Sequence, residues 1–74
     1  MKVAVQLFGP LAEQAGRSRM EVSVTGATVR DVVAATGLKL EPSVRFALNT
    51  DYVGPDTAIK EGDVVSLIPP VGGG

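Results

Sequence analysis

Gly62-Asp63-Val64-Val65-Ser66-Leu67-Ile68-Pro69-Pro70 is the stretch on which the fold turns. A Gly-Asp turn opens it, five residues of strand character follow, and two prolines stop it, because proline has no N–H to offer a ladder. The two-residue period of a strand puts Val65 and Leu67 on one face and Val64, Ser66 and Ile68 on the other. Working outward, residues 2–8 show the same period. Val3, Val5 and Leu7 point one way and Lys2, Ala4, Gln6 and Phe8 the other. The late strand is expected to insert beside this first one, parallel to it, in the middle of a sheet.

Gly9 ends the first strand. Pro10 suits the first residue of a helix, Gly16 suits the position past its end, and Leu11 to Ala15 are good helix formers between them. Residues 20–25 alternate again, with Met20, Val22 and Val24 inward, and predict a second strand hairpin-paired with the first. Thr28 and Asp31 match an N-cap with an acidic residue three positions on. Val29, Val32 and Val33 then follow at helical spacing up to Gly37, a natural stop. Valine lowers helix propensity, so tertiary packing has to hold this main helix. Val44 to Leu48 predicts a third strand, Asn49-Thr50-Asp51 a turn and Tyr52-Val53 a short return strand. This order describes an α+β domain of two layers, a mixed sheet packed on one main helix. It fits a ubiquitin-like β-grasp and leaves ferredoxin-like variants open.

Composition excludes several kinds of chemistry. Seventy-four residues hold one domain, with no room for a deep cleft. There is no cysteine and no histidine, which removes thiolate nucleophiles, Ser-His triads and the commonest metal ligand. A stand-alone enzyme is the least supported reading. Net charge is −1, from 7 basic and 8 acidic residues, and no concentrated basic footprint suggests nucleic acid. No apolar run approaches a membrane span, and Met1 to Val5 turns polar at Gln6 without a signal-peptide core. A soluble, cytoplasmic protein is expected.

Past the prolines come Val71, Gly72, Gly73 and Gly74. Pro69-Pro70 favours an extended course, while the glycines lack a Cβ and accept backbone conformations closed to other residues. A stiff stem with a thin tip suits entry into a narrow channel. The carboxylate of Gly74 is inert until one oxygen becomes a leaving group, which joining it to a nucleotide phosphate achieves. Alternation also places Phe8, Ile68 and Val64 on the open side of the sheet near the tail. Exposed apolar residues grouped in this way mark protein contacts. Tyr52 is read first as packing of its own hairpin, with membership of this same surface as the alternative.

The stretch from Gly62 to Gly74, with Pro-Pro-Val-x-Gly-Gly at its end, resembles the MoaD family, the sulfur-carrier subunits of molybdopterin synthase. Leu7-Phe8-Gly9-Pro10-Leu11-Ala12-Glu13-Gln14-Ala15-Gly16 is similar to the family's strand-to-helix passage. Ala47-Leu48-Asn49 with Tyr52-Val53 is similar to its mid-chain hairpin. The resemblance implies a β-grasp domain over residues 1–71 and a glycine tail over 72–74. It implies an E1-like (MoeB-like) enzyme that spends ATP to adenylate Gly74, and conversion to a thiocarboxylate. The large, MoaE-like synthase subunit would then receive the tail, gripped through Phe8, Val64, Ile68, Pro69, Pro70 and Val71. No cofactor or metal is expected on the chain itself. Similar carriers serve thiamin synthesis (ThiS), tRNA thiolation and cysteine synthesis, and ubiquitin-related modifiers share the ending. A protein modifier and a plain interaction domain with an idle tail are the alternatives from other classes.

Overall fold

In the computed structural model, which describes residues 1–70, the sheet begins with β1 (Lys2–Leu7) and ends with β5 (Val64–Ile68). These two run parallel and adjacent, with Val5 opposite Val65 and Leu7 opposite Leu67. Around them lie β2 (Arg19–Ser23), β3 (Arg45–Leu48) and β4 (Asp51–Val53), in the order β2-β1-β5-β3-β4. The last strand does insert at the centre, beside the first. A strand pairing over so long a separation needs a crossover, and α2 (Val29–Thr36) lies on the route between them.

Alternation explains the layers. Val3, Val5, Leu7, Val65 and Leu67 are at most 2 % exposed and face the helical layer. There they meet Val29 and Val32 of α2 and Leu11 of α1 (Pro10–Ala15). Val22, Val24, Val44 and Ile59 complete this core. Each full burial of a Val or Leu stabilises the fold by about 1.5–3 kcal/mol relative to exposure.

The boundaries differ from expectation by a residue or two. β2 stops at Ser23, yet Val24 remains buried and its N–H donates to the Met1 carbonyl at 2.8 Å, prolonging the pairing. Val44 falls outside β3 because its N–H donates to Glu41 in a turn. α1 starts with Pro10 at its first turn and stops at Gly16, whose φ of 75° is left-handed. Its cap N–H reaches the Ala12 and Glu13 carbonyls.

α2 owes its start to a reciprocal cap. The Asp31 N–H donates to Thr28 Oγ1, and Asp31 Oδ2 accepts from Thr28 Oγ1 (2.9 Å), the Thr28 N–H (3.1 Å) and the Ala27 N–H (3.0 Å). Gly26 makes room for this, since a Cβ there would overlap the Asp31 carboxylate. The hydrogen bond from the Thr28 hydroxyl, joined by the two N–H groups, holds the Asp31 carboxyl below its ordinary value.

Two outcomes follow from the core and the cap. Leu67→Ala should cost about 2–5 kcal/mol and Thr28→Ala about 1 kcal/mol in urea unfolding. The depressed Asp31 carboxyl stabilises the fold above the ordinary carboxylate range, and that contribution is lost as pH falls through the depressed folded-state value. The stability gap between the wild type and Asp31→Asn should therefore be open at neutral pH and close on acidification. A gap independent of pH would contradict the cap.

Candidate functional site

β5 carries its own chain end to the rim of the sheet, and the candidate site is built there. Ile68 pairs with Arg45 of β3. Phe8 follows Leu7, whose partner is Leu67, so it comes level with Ile68. Phe8 is 47 % exposed and lies outside the buried core. Its position at the end of β1, before the turn at Gly9, leaves no helix above it to cover the ring.

Gly9 has φ 54° and ψ −129°, a conformation that a residue with a Cβ rarely adopts. It turns the chain from β1 into α1 and lies under Pro69, with 3.6 Å between the place of a Cβ and the proline Cγ. Pro69 is half-buried and Pro70 exposed. On one side of this pair is a groove of about 330 Å³ between α1 and the segment 39–44. The Gln14 side chain closes its wall. Its Oε1 accepts from the Lys39 N–H at 2.8 Å, and its Nε2 donates to the Lys39 carbonyl at 3.3 Å. On the other side is an open depression of about 440 Å³, where Arg45, Tyr52, Ile68, Pro69 and Pro70 meet.

Val64 occupies the same face as Ile68 but four residues earlier, roughly 13 Å along the strand. Between them Ser66 is buried and its Oγ donates to Gln6 Oε1 at 3.3 Å. The apolar surface at the tail's root therefore groups Ile68 and Phe8, with Val64 apart. Tyr52 departs from its reading as hairpin packing. It pairs with Ala47 on the open face and is 68 % exposed, because β4 is a three-residue edge strand with no layer above it. Arg45 was not singled out in the sequence. Its signal was available in the alternation of β3, but only pairing with Ile68 gives that position meaning. Val71, Gly72, Gly73 and Gly74 lie outside the described residues.

Among the described residues, no group of three or more acidic side chains is placed to hold a metal ion, and no helix is long and apolar enough to cross a membrane. The exposed features at the tail's root are apolar, aromatic and guanidinium groups around a proline stem. Such a surface can hold another protein and direct a peptide; it contains no acid–base pair for chemistry of its own.

Comparison with known proteins agrees with this geometry. The model of the ThiS family matches residues 5–74. The chain is 35 % identical, over the whole of both sequences, to the molybdopterin synthase sulfur carrier subunit of Chlamydomonas reinhardtii. Among solved structures it is similar to the small archaeal modifier protein SAMP1 from Haloferax volcanii, with a TM-score of 0.86, 29 % identity and both chains fully covered. It is also similar to a chain in the complex of subunits 1 and 2 of the molybdopterin-converting factor from Helicobacter pylori, with a TM-score of 0.68, 28 % identity and both chains fully covered.

The two residues at the turn should separate cleanly. Gly9→Ala forces a Cβ into a left-handed conformation and should destabilise the fold by roughly 1–3 kcal/mol. Phe8→Asp, outside the core, should leave the thermal midpoint nearly unchanged while weakening partner binding. Gross unfolding of Phe8→Asp would instead make the ring part of the core.

Proposed function

The chain belongs to the ThiS family, and from that premise we propose that it is a sulfur carrier acting through Gly74, as the small subunit of a molybdopterin synthase. The observation that carries this reading is the end-to-end match to a molybdopterin synthase sulfur carrier subunit. The fold lends it support: the central strand β5, paired on both sides, leads directly into Pro69-Pro70, and the glycines follow in sequence.

The chemistry starts with a Gly74 carboxylate oxygen attacking the α-phosphorus of ATP on an E1-like enzyme. Pyrophosphate leaves, and the carboxylate becomes an acyl adenylate. Hydrosulfide then attacks the carbonyl carbon, its C–S bond replacing the bond to AMP, which leaves, and loss of the S–H proton gives the thiocarboxylate. The large synthase subunit receives the tail and supplies the catalytic side chains that pass the sulfur to the pterin precursor. The chain itself contributes binding and reach. Phe8, Ile68 and the Pro69-Pro70 stem are its contact surface near the tail, with Val64 on the same sheet face and Val71 next in sequence. Gly72 and Gly73 bring no side chain into the partner's channel.

A second reading has its own support in the likeness to SAMP1, a small archaeal modifier protein. Here the same activated carboxylate is captured by a lysine amine on another protein, with AMP or a thiol leaving.

The deciding experiment incubates the full chain with ATP and the E1-like enzyme of its own genome, scoring pyrophosphate release and the adenylate by mass spectrometry. Adduct at Gly74, lost on deletion of Gly73-Gly74, is the expected result. Full activity after that deletion overturns the proposal. In extracts of the native host, the carrier reading predicts a free chain heavier by the replacement of one oxygen by sulfur. The modifier reading predicts ladders of conjugates.

A further inference from the structure

The net charge of −1 hides a marked asymmetry. β1 and β5 run parallel, so Lys2 and Val64 mark one end of the sheet and Leu7 and Ile68 the other. β2 and β3 run antiparallel to them, which brings Arg19 and Arg45 to the Ile68 end. Arg17, in the turn before β2, and Lys39, beside α1, join them there. Among the described residues these four cations are accompanied by two carboxylates, Glu13 and Glu41. The opposite end is the reverse. Asp31, Asp51, Asp56, Glu61 and Asp63 gather in its cap and turns against Lys2, Arg30 and Lys60, and Glu21 lies between the two ends.

The acidic end uses its charges internally. Asp31 caps α2, Asp63 accepts from the Lys60 N–H, Glu61 accepts from the Lys2 N–H, and Arg30–Asp56 is the one ion pair among the described residues. Arg19 and Arg45 take part in no such pair. They stand three strand spacings apart, roughly 14 Å, on either side of the Ile68 and Phe8 positions. Arginines with no ion pair among the described residues, set around half-buried Ile68 and exposed Phe8, are the complement of a surface on which carboxylates ring an apolar seat.

We propose that the tail end docks on an acidic surface of this kind on the large synthase subunit, with Arg19 and Arg45 meeting the carboxylates while Ile68 and Phe8 enter the apolar seat. The inference rests on the functional reading above and adds the chemistry of the surface that receives the chain. The asymmetry also orients the encounter. An acidic partner attracts the arginine end and repels the carboxylate end, so the tail arrives first. Such long-range steering acts on the association rate and is screened by salt.

The test is stopped-flow association of the full chain with the large synthase subunit of the same genome. From low to high salt, the association rate constant should fall about tenfold or more. At low salt the double variant Arg19→Glu/Arg45→Glu should associate about tenfold more slowly or worse, while Lys60→Glu, at the acidic end, should slow association far less than the double variant does. Circular dichroism melting checks the fold. If the double variant does not fold, Arg45→Gln and the wild-type salt series carry the test. Association indifferent to salt and to the arginines overturns the acidic surface and leaves the functional reading standing. Absence of binding by the wild type overturns that reading, and the inference with it.

Discussion

The parallel pairing of β1 with β5 is the constraint on which the rest of the molecule depends. Val5 opposite Val65 and Leu7 opposite Leu67 bring residues some sixty positions apart into register, and all four side chains are buried. Parallel strands require a crossover, so this contact obliges the intervening chain to cover one face of the sheet. It also leaves β5 with neighbours on both sides. The strand that launches the tail is therefore held by two ladders and the densest part of the core, and the stem starts from a fixed place.

That arrangement separates holding from reaching. The helical face of the sheet is used entirely for packing, with the valines of β1 and β5 meeting Val29, Val32 and Leu11. The other face has no layer above it at the tail's root, so Phe8 and Tyr52 stay exposed. A small domain cannot bury every apolar side chain. Here two of those left out, Phe8 and Tyr52, lie at the end of the sheet that carries Pro69 and Pro70, and the third, Met1, lies at the opposite end. Charge is divided as well, because Asp31, Glu61 and Asp63 accept backbone N–H groups at the end away from the tail.

Much of the local structure was legible because it depends on neighbours in sequence. Gly9, Pro10 and Gly16 bracket α1 as their conformational preferences require, and Thr28 with Asp31 starts α2 through atoms three residues apart. Val3, Val5 and Leu7 announced their burial by alternation alone. Tyr52 departs from the hairpin packing that its place beside the Asn49-Thr50-Asp51 turn suggested. Its exposure follows from the edge position of a three-residue strand, which no local pattern specifies. Val64 and Ile68 share a face by periodicity, yet Ser66 and Gln6 come between them through a hydrogen bond spanning sixty residues of sequence.

By itself, then, the sequence determined the identity of the elements, their caps, their inward faces, and a glycine ending joined to a proline stem. These are consequences of backbone preference and short-range periodicity, which act over a few residues. Tertiary structure alone decided that Arg19 and Arg45 lie on either side of the β1–β5 pair, that Pro69 sits on Gly9, and that five of the eight acidic side chains collect at the far end. Those neighbours are set by strand order and direction, and the free energy that chooses them is the burial of one shared core, which belongs to no single segment.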